Sequence, residues 1–299
     1  MSLRGDPSLC SGQAPQSRTI YVQFYDRDCH ASYINLCTQL HYNRAMKLND
    51  EQLHRYSRQL LLKSFGGEGQ KKLLNSSVLV LGAGGLGSAA LLYLAGCGVG
   101  KIGIVDFDKV EISNLPRQVI YDSKVVGRPK VELAKQKIQD INPDVQVKIF
   151  NEKFTDKNAQ NIIGEFDVVL DGLDNFQDKF LLNDYAIKLN KSFVHAGVVG
   201  YEGQIFTVVP EKSACLRCVL PEIPQDAMQK CSEVGVLNTC VGIISMLQAN
   251  EVLKLLVGIG DLYTNRILKF DALSGSFYEF KIKGKNKDCH TCKTALSVK

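Results

Sequence analysis

The chain has 299 residues, of which 45% are hydrophobic and 22% are charged, and its net charge is +5 at neutral pH. This length and composition are typical of a globular protein with one large domain or two ordinary ones. A charge this mild, without a long block of Lys and Arg, does not favour nucleic-acid binding. No uninterrupted apolar run reaches the ~18 residues of a membrane span, so we expect no membrane association.

The first 47 residues form an extension to which the sequence gives no role. Residues 19–25 alternate apolar and polar positions, as a short strand does, and residues 31–47 are compatible with a helix. Asn49 or Asp50 is predicted to cap a helix that Gly66 and Gly67 would end. Because residues 1–18 lack the apolar stretch of a secretory signal, we expect a cytoplasmic protein.

From residue 48 to residue 299 we predict one composite domain of the α/β class. Apolar strand-like runs alternate with helical segments up to about residue 200, which predicts a parallel sheet covered on both faces. The runs are SVLVLG, KIGIVDFD, VQVKIF, DVVLDGLDN and SFVHAGVVG. GQIFTVVP then predicts another strand, residues 219–237 a crossover loop and residues 238–257 a buried helix. RILKFDAL and SFYEFKIK predict a hairpin, so we expect a Rossmann-like mixed sheet, parallel in its N-terminal half and antiparallel in its C-terminal part.

A glycine-rich turn follows the first strand of this pattern. Gly82, Gly84, Gly85 and Gly87 fit G-x-G-x-x-G between a strand and a helix, which is typical of a phosphate-binding turn. Asp106 ends the second strand, where a carboxylate receives ribose hydroxyls. The motif predicts a nucleotide site but does not separate NAD from ATP.

Further charged and amide side chains follow the ends of the predicted strands. They are Asp108, Asn114, Arg117, Lys130, Asp174 and Asn175. Ligands of open α/β sheets bind outside the carboxyl ends of the strands, so we expect several of these side chains to converge with the glycine turn. Cations and a carboxylate suit phosphates and Mg²⁺ better than an apolar nicotinamide.

Each of these residues also has a structural interpretation. Arg117 would then be a surface arginine, Lys130 a first-turn lysine on a solvated face, and Asp174 a helix cap. The role of Asp108 stays open between capping the turn, binding ribose and assisting the metal.

The cysteines form two C-x-x-C pairs. Cys215, Cys218, Cys289 and Cys292 have the ligand type and pair spacing of a structural Zn²⁺ site, and the alternative is four free thiols. Because the two pairs lie far apart in the chain, a metal here would staple the crossover region to the C-terminal end.

Six motifs occur together in the order of a known family. RYSRQ, GAGGLGS, DFDKVEISNLPRQ, VGRPK, DGLDN and the paired C-x-x-C resemble the MoeB/ThiF/HesA family of ubiquitin-activating-enzyme-like adenylyltransferases. The resemblance implies a ThiF/MoeB-type fold and an enzyme that uses ATP and Mg²⁺. Its substrate would be the C-terminal glycine carboxylate of a small β-grasp sulfur carrier that ends in Gly-Gly, of the molybdopterin or thiamine biosynthesis type.

The resemblance also implies roles for individual residues. Asp106 would hold the ribose, Arg117 and Lys130 the phosphates, and Asp174 the Mg²⁺, while Asn114 would contact phosphate or the carrier tail. Arg58 would enter the site from the partner subunit of a homodimer. Cys231, in the predicted loop, would form a persulfide or thioester with the carrier, or else be an ordinary loop cysteine. An external protein would donate any sulfur.

Three alternatives stay open from the sequence. Within the same chemistry, the substrate would be a ubiquitin-like modifier or a peptide. A different enzyme class is an NAD-dependent oxidoreductase, which predicts dinucleotide binding without a Mg²⁺ requirement. A non-catalytic scaffold would require the loss of phosphate-binding residues, whereas Arg117, Lys130 and Asp174 are all present.

Overall fold

The computed structural model describes residues 48–223 and 235–296, with side chains up to residue 293. The strand predicted at residues 19–25, the helix predicted at residues 31–47 and Cys231 lie outside the described residues. The extension predicted for residues 1–47 therefore stays a prediction.

One sheet contains all eight strands of the described part of the chain, in the order β3-β2-β1-β4-β5-β6-β7-β8. The strands are β1 Ser77–Leu81, β2 Lys101–Val105, β3 Gln146–Phe150, β4 Val168–Asp171, β5 Ser192–Val199, β6 Glu202–Val208, β7 Arg266–Asp271 and β8 Ser276–Lys281. Strands β1 to β5 pair in parallel, and β5 to β8 pair in antiparallel fashion. The predicted mixed sheet with its change of direction is confirmed.

Ten α-helices accompany the sheet in the described residues. They are α1 Asp50–Arg55, α2 Ser57–Leu60, α3 Gly66–Leu74, α4 Gly85–Cys97, α5 Lys130–Ile141, α6 Asp156–Gly164, α7 Phe176–Lys188, α8 Leu216–Val219, α9 Asn238–Val257 and α10 His290–Leu296. The sequence pattern predicted α4, α5, α7 and α9 but not α6, α8 or α10.

The start of the domain differs from the prediction. Asn49 does cap α1, since its side chain accepts a hydrogen bond from the Gln52 N–H. The helix then breaks at Tyr56 rather than continuing to Gly66. Gly66 and Gly67 begin α3 and do not end the preceding helix, so that prediction was wrong. Because the helix breaks at Tyr56, the ring of this residue lies in the core, where its hydroxyl accepts a hydrogen bond from Asn142.

The sheet is covered on both faces because alternate residues of each strand point to opposite sides. On β1, Val78 and Val80 pack into an apolar cluster with residues of α4, α5 and α9. Leu79 and Leu81 pack into a second cluster with residues of α6 and α7 on the other face. This burial of the central strands makes their carboxyl ends rigid supports for the residues that follow.

Helix α9 is long and apolar enough to cross a membrane by length and composition. Half of the helix is buried inside the protein. The helix packs against α4, β4, β5 and β6, and its polar Gln248 donates hydrogen bonds to the Asp171 and Val194 carbonyls. Its place in the core accounts for its apolar composition.

A glycine in β2 provides a test of the packing on the second face. A Cβ on Gly103 would lie 2.2 Å from Cζ of Phe166, a contact too close for any side chain. We expect Gly103→Ala to lower the free energy of unfolding by about 1–3 kcal/mol through overpacking. Urea denaturation measures this change.

Gly164, at the end of α6, is the control because a Cβ there meets no atom within 4 Å. Gly164→Ala should leave the unfolding free energy unchanged or raise it by up to about 1 kcal/mol. Equal losses in the two variants would contradict the packing described for β2.

Candidate functional site

Three adjacent strands end at one edge of the sheet. The in-register pairing sets Leu81 of β1 beside Val105 of β2 and beside Asp171 of β4. The Gly82 N–H donates to the Val105 carbonyl at 2.8 Å, and the Gly172 N–H donates to the Leu81 carbonyl at 2.9 Å. This edge, called the carboxyl edge below, therefore gathers the segments that follow β1, β2 and β4.

The first and last glycines of the glycine turn, residues 82–87, have no room for a side chain. Gly82 has φ +90°, and a Cβ there would lie 2.6 Å from the Gly172 carbonyl oxygen. A Cβ on Gly87 would lie 1.9 Å from the Gly82 carbonyl oxygen. Gly84 caps the 13-residue helix α4 without a side-chain hydrogen bond. The turn thus directs the positive end of a helix toward the carboxyl edge, which suits an anion.

Asp106 lies directly after β2 and braces this turn. Its Oδ2 accepts a hydrogen bond from the Ala83 N–H, and its Oδ1 accepts one from the Asp108 N–H, both at 2.8 Å. Burial raises the pKa of Asp106, while the charge of Lys130 and the two N–H groups act to lower it. The structure places this carboxylate beside the glycine turn, as the sequence predicted.

Lys130, the first residue of α5, is buried and forms an ion pair. Its Nζ lies 2.9 Å from Oδ2 of Asp108, whose side chain is half exposed. The side chain of Lys130 is only 6% exposed, so the interpretation as a lysine on a solvated face is wrong. The ion pair with Asp108 orients Lys130 beside Asp106. Holding this lysine is thus one role of Asp108, whose function the sequence left open.

Arg117 and Gln118 approach the first turn of α4. A Cβ on Gly85 would lie 3.7 Å from Cγ and Cδ of Arg117, and a Cβ on Gly84 would lie 3.7 Å from Nε2 of Gln118. Arg117 Nη1 donates to the Ser113 carbonyl at 2.9 Å. Gln118 is buried, and its Oε1 is a buried atom without a hydrogen-bond partner among the described residues.

Sequence reasoning missed Gln118. The signal was its position directly after Arg117 in a segment already predicted to reach the nucleotide. An amide with an unpaired buried atom beside a phosphate-type turn suits a polar ligand, because a buried polar group without a partner is costly. Gly84 leaves room for such a ligand, since a Cβ there would meet only Nε2 of Gln118 within 4 Å.

Asn114 organises the loop between β2 and α5 rather than projecting from it. It is buried, and its Oδ1 accepts a hydrogen bond from the Glu111 N–H at 3.2 Å. Its carbonyl accepts the N–H groups of Arg117 and Gln118. Asn114 therefore fixes the backbone of the two residues that approach the glycine turn.

Asp174 and Asn175 follow β4 at the same edge. Asn175 caps α7, since its Oδ1 accepts a hydrogen bond from the Asp178 N–H at 2.8 Å. The cap is thus Asn175 and not Asp174, which corrects the structural interpretation of Asp174. The Asp174 carboxylate is exposed, and its described hydrogen-bond neighbour is Asn175 Nδ2 at 3.5 Å.

A buried ionic cluster lies below this turn. Asp171, the last residue of β4, is fully buried, and both of its oxygens lie 3.0 Å from Nζ of Lys179. Its Oδ2 also lies 2.7 Å from Nδ1 of His195 on β5. Burial would raise the pKa of Asp171, but Lys179 and His195 hold it below its usual value. Burial and the nearby Lys179 lower the pKa of His195, against the pull of Asp171.

This cluster was not predicted from the sequence. Its signal was the presence of a carboxylate and an imidazole inside two apolar strands, because such groups are seldom fully buried unless they are paired.

Arg58 lies far from the glycine turn of its own chain. It is exposed on α2, and the neighbouring Gln59 donates to the Cys97 carbonyl at the C-terminal end of α4. The glycine turn is at the other end of this 13-residue helix, about 20 Å away at ~1.5 Å per residue. The single chain does not bring Arg58 to the other predicted site residues.

The four cysteines of the two C-x-x-C pairs come together on the face of the sheet that α6 and α7 cover. Their Sγ atoms all lie within 4.8 Å of one another, and neighbouring pairs are 3.5–3.7 Å apart. A tetrahedron with Zn–S bonds of ~2.3 Å has S···S edges of about 3.8 Å, whereas a disulfide requires ~2.05 Å. Cys215, Cys218, Cys289 and Cys292 form a cluster that suits a four-thiolate metal site.

Helix α7 supports this cysteine cluster. Asn183 Oδ1 accepts the Leu216 N–H at 2.8 Å. Asp184 accepts two hydrogen bonds from Arg217 and one from Thr291. Because Asn175 at the carboxyl edge caps α7, the cysteine cluster and the carboxyl edge share one helix.

The fold and the carboxyl edge define a protein of the mixed-sheet α/β class with a phosphate-type glycine turn. Residues 56–291 match the ThiF family, and the chain belongs to that family.

Two curated relatives are similar to most of this chain. The chain is 40% identical over 281 residues to "Adenylyltransferase and sulfurtransferase MOCS3" of Arabidopsis thaliana, covering 94% of this chain and 60% of the relative. It is 39% identical over 253 residues to "Sulfur carrier protein adenylyltransferase" of Thermus thermophilus, covering 83% of this chain and 93% of the relative. The chain thus spans only 50–60% of the MOCS3 relatives it matches.

Solved structures of Escherichia coli MccB share the fold. The complex described as "MccB + MccA-N7isoASN" has a TM-score of 0.72 and 23% identity, covering 82% of this chain and 75% of that one. The complex described as "MccB + ATP" has a TM-score of 0.68 and 24% identity, covering 76% and 69%. The predicted ThiF/MoeB-type fold is confirmed.

The buried histidine makes stability depend on pH. Burial lowers the pKa of His195 in the folded protein, whereas in the unfolded chain it takes up a proton near its ordinary pKa of ~6.5. Below that pH the unfolded state binds more protons, so the free energy of unfolding falls as pH is lowered. We expect a contribution of at most ~1.4 kcal/mol per pH unit from this group, and His195→Gln should remove it.

Urea denaturation between pH 7.5 and 5.5 measures the slope. His54→Gln, which removes an exposed histidine, is the control for the loss of a histidine. If both variants lost the same part of the slope, the assignment to His195 would be wrong.

Proposed function

We propose that the protein is an ATP-dependent adenylyltransferase that activates the C-terminal glycine carboxylate of a small β-grasp sulfur carrier. Membership of the ThiF family and the names of both curated relatives support this activity. The single observation that carries it is the convergence of Asp106, Lys130 and Arg117 on the glycine turn.

The described groups fit a nucleotide triphosphate. The ribose would hydrogen-bond to Asp106, and the phosphates would lie at the N-terminal end of α4 between Arg117 and Lys130. Gln118 would supply an amide hydrogen bond in the space beside Gly84. Asp174, exposed at the same edge, has the ligand type that Mg²⁺ prefers. When bound, Mg²⁺ would neutralise charge on the phosphates.

The reaction needs charge neutralisation more than proton transfer. A C-terminal carboxyl has a pKa of roughly 3.3–3.7, so it is already an anion at neutral pH. Its oxygen attacks the α-phosphorus, the bond to the bridging oxygen breaks, and pyrophosphate leaves with the electron pair. Lys130 and Arg117 lower the repulsion between the carboxylate and the triphosphate and stabilise charge on the transferring group.

The finer parts of the proposal concern partners. We propose a homodimer in which Arg58 of each subunit serves the site of the other, since Arg58 lies far from its own glycine turn. The carrier would end in Gly-Gly and serve molybdopterin or thiamine biosynthesis in the cytoplasm. An external protein would donate sulfur, and Cys231 would form the covalent bond with the carrier.

A peptide substrate is the second candidate within the same chemistry. It is favoured by the structural similarity to MccB, whose solved structures include complexes with MccA. An NAD-dependent oxidoreductase would need no Mg²⁺, and a scaffold would bind without turnover.

ATP–pyrophosphate exchange with Mg²⁺ tests the proposal. Exchange should require one carrier from a panel of Gly-Gly-terminated β-grasp proteins. Lys130→Met should lower the exchange rate by about 10²–10³-fold, as the loss of a preorganised charge does. Lys124→Met, which removes an exposed lysine from the segment that leads to α5, is the matched control and should keep the wild-type rate.

Exchange with a peptide but no carrier would select the second candidate. ATP binding without exchange in any mixture would leave a scaffold, and the absence of ATP binding would contradict the proposal altogether.

We also propose that the cysteine cluster binds Zn²⁺ as a closed structural site. Four thiolates leave no open coordination position, so the ion would take no part in adenylation. Its effect would be to join α8 to α10 across the long sequence separation between the two pairs.

Metal analysis of the purified protein should give about one zinc per chain. Cys215→Ser should lose the zinc and lower the melting temperature, because metal binding is coupled to folding. Cys97→Ser, outside the cluster, should keep the metal. Zinc retained in Cys215→Ser, or wild-type protein without zinc, would contradict this site.

A further inference from the structure

The ionic cluster of Asp171, Lys179 and His195 lies directly below the turn that carries Asp174. Asp171 accepts hydrogen bonds from Lys179 and His195, and its Oδ1 also accepts one from the Leu173 N–H at 3.2 Å. Leu173 immediately precedes Asp174. The carboxylate of Asp171 therefore connects the buried cluster to the backbone of the turn.

The cluster holds this turn from both ends. Lys179 belongs to the first turn of α7, and its N–H donates to the Asn175 carbonyl at 3.2 Å. Its Nζ reaches back to Asp171 on β4 and also donates to the Ala196 carbonyl on β5 at 2.8 Å. Asp171 and Lys179 thus flank the segment from Gly172 to Asn175, and the ammonium group of Lys179 links the two residues.

A helix on the opposite face adds a third connection. Gln248 of α9 donates to the carbonyl of Asp171 at 2.8 Å and to that of Val194 at 2.7 Å. The strand end at Asp171 is consequently fixed by side chains from α7, β5 and α9. By contrast, the Asp174 carboxylate projects from this fixed turn into solvent.

Stability alone is a weak reason for this arrangement. Removing a carboxylate and an ammonium from water is expensive, and apolar residues of similar volume often replace a buried ion pair without loss. Within the cluster the ammonium group of Lys179 balances the carboxylate of Asp171. What the cluster supplies is a fixed orientation of the Asp171 carboxylate, since a hydrogen-bonded ion pair has a specific geometry.

We propose that Lys179 and His195 are positioning residues that lock Asp171 and thereby direct the Asp174 carboxylate toward the carboxyl edge. The inference rests on the proposed function, because Asp174 is the residue expected to bind Mg²⁺ there. Neither residue contacts substrate; both act through the backbone of residues 172–175.

Mg²⁺ titration of ATP–pyrophosphate exchange tests the inference in Lys179→Met and His195→Gln. We expect the Mg²⁺ concentration at half-maximal rate to rise at least fivefold and kcat to fall at least tenfold, with the KM of the carrier unchanged. Lys179→Arg keeps the charge and the donors, and should restore most of the rate.

Glu251→Gln is the matched control because Glu251 is another fully buried carboxylate. It accepts hydrogen bonds from Thr207 and the Tyr263 N–H and pairs with Lys254, away from the turn of Asp174. The control should lower the melting temperature but keep the Mg²⁺ dependence. If Lys179→Met and His195→Gln changed the Mg²⁺ dependence no more than this control, the inference would be overturned.

Hydrogen exchange by mass spectrometry gives a second readout that needs no activity. Peptides covering residues 171–178 should exchange faster in His195→Gln than in the wild type or Glu251→Gln. Unchanged exchange would overturn the inference. A wild-type protein without pyrophosphate exchange would instead refute the proposed function, while this second readout would still show whether the cluster orders the turn.

Discussion

The parallel pairing of β1 with β2 on one side and β4 on the other determines where the charged groups of the site lie. Leu81 is level with both Val105 and Asp171, so the next residues of all three strands emerge together. The Gly172 carbonyl lies so close to Gly82 that this residue tolerates no Cβ, and the Gly82 carbonyl in turn leaves no room for a Cβ on Gly87. Without this register the helix N-terminus, the Asp106 carboxylate and the turn of Asp174 would not meet.

The carboxyl edge separates its charges by burial. Lys130 is held inside by Asp108, and Asp171 is enclosed by Lys179 and His195, whereas Asp174 remains exposed. A triphosphate would meet cations with fixed positions and one accessible carboxylate. Such preorganisation is what phosphoryl-group chemistry requires of a protein, because positioning and charge supply most of the catalysis.

The fold and the shared edge of the candidate site could be predicted from the sequence, and the reason is physical. Strand and helix periods are local, and the order of motifs after β1, β2 and β4 is enough to predict a shared edge. The same reasoning was wrong at Gly66, where glycine begins a helix. It also missed α6, which is a short helix with two polar residues, Thr155 and Asn158, in its N-terminal cap. Gln118 and His195 were missed, because their sequence signals are weak and their importance depends on burial and on partners distant in sequence. Cys231, by contrast, lies outside the described residues, so its role stays a prediction.

Direct binding of nucleotides by calorimetry tests the central claim that this edge holds a triphosphate. The account predicts that ATP with Mg²⁺ binds to the wild-type protein, that affinity falls when Mg²⁺ is removed, and that Arg117→Ala binds at least tenfold more weakly. NAD should not compete. Tight NAD binding that is independent of Mg²⁺, with no binding of ATP, would contradict the account and restore the dinucleotide interpretation of the glycine turn.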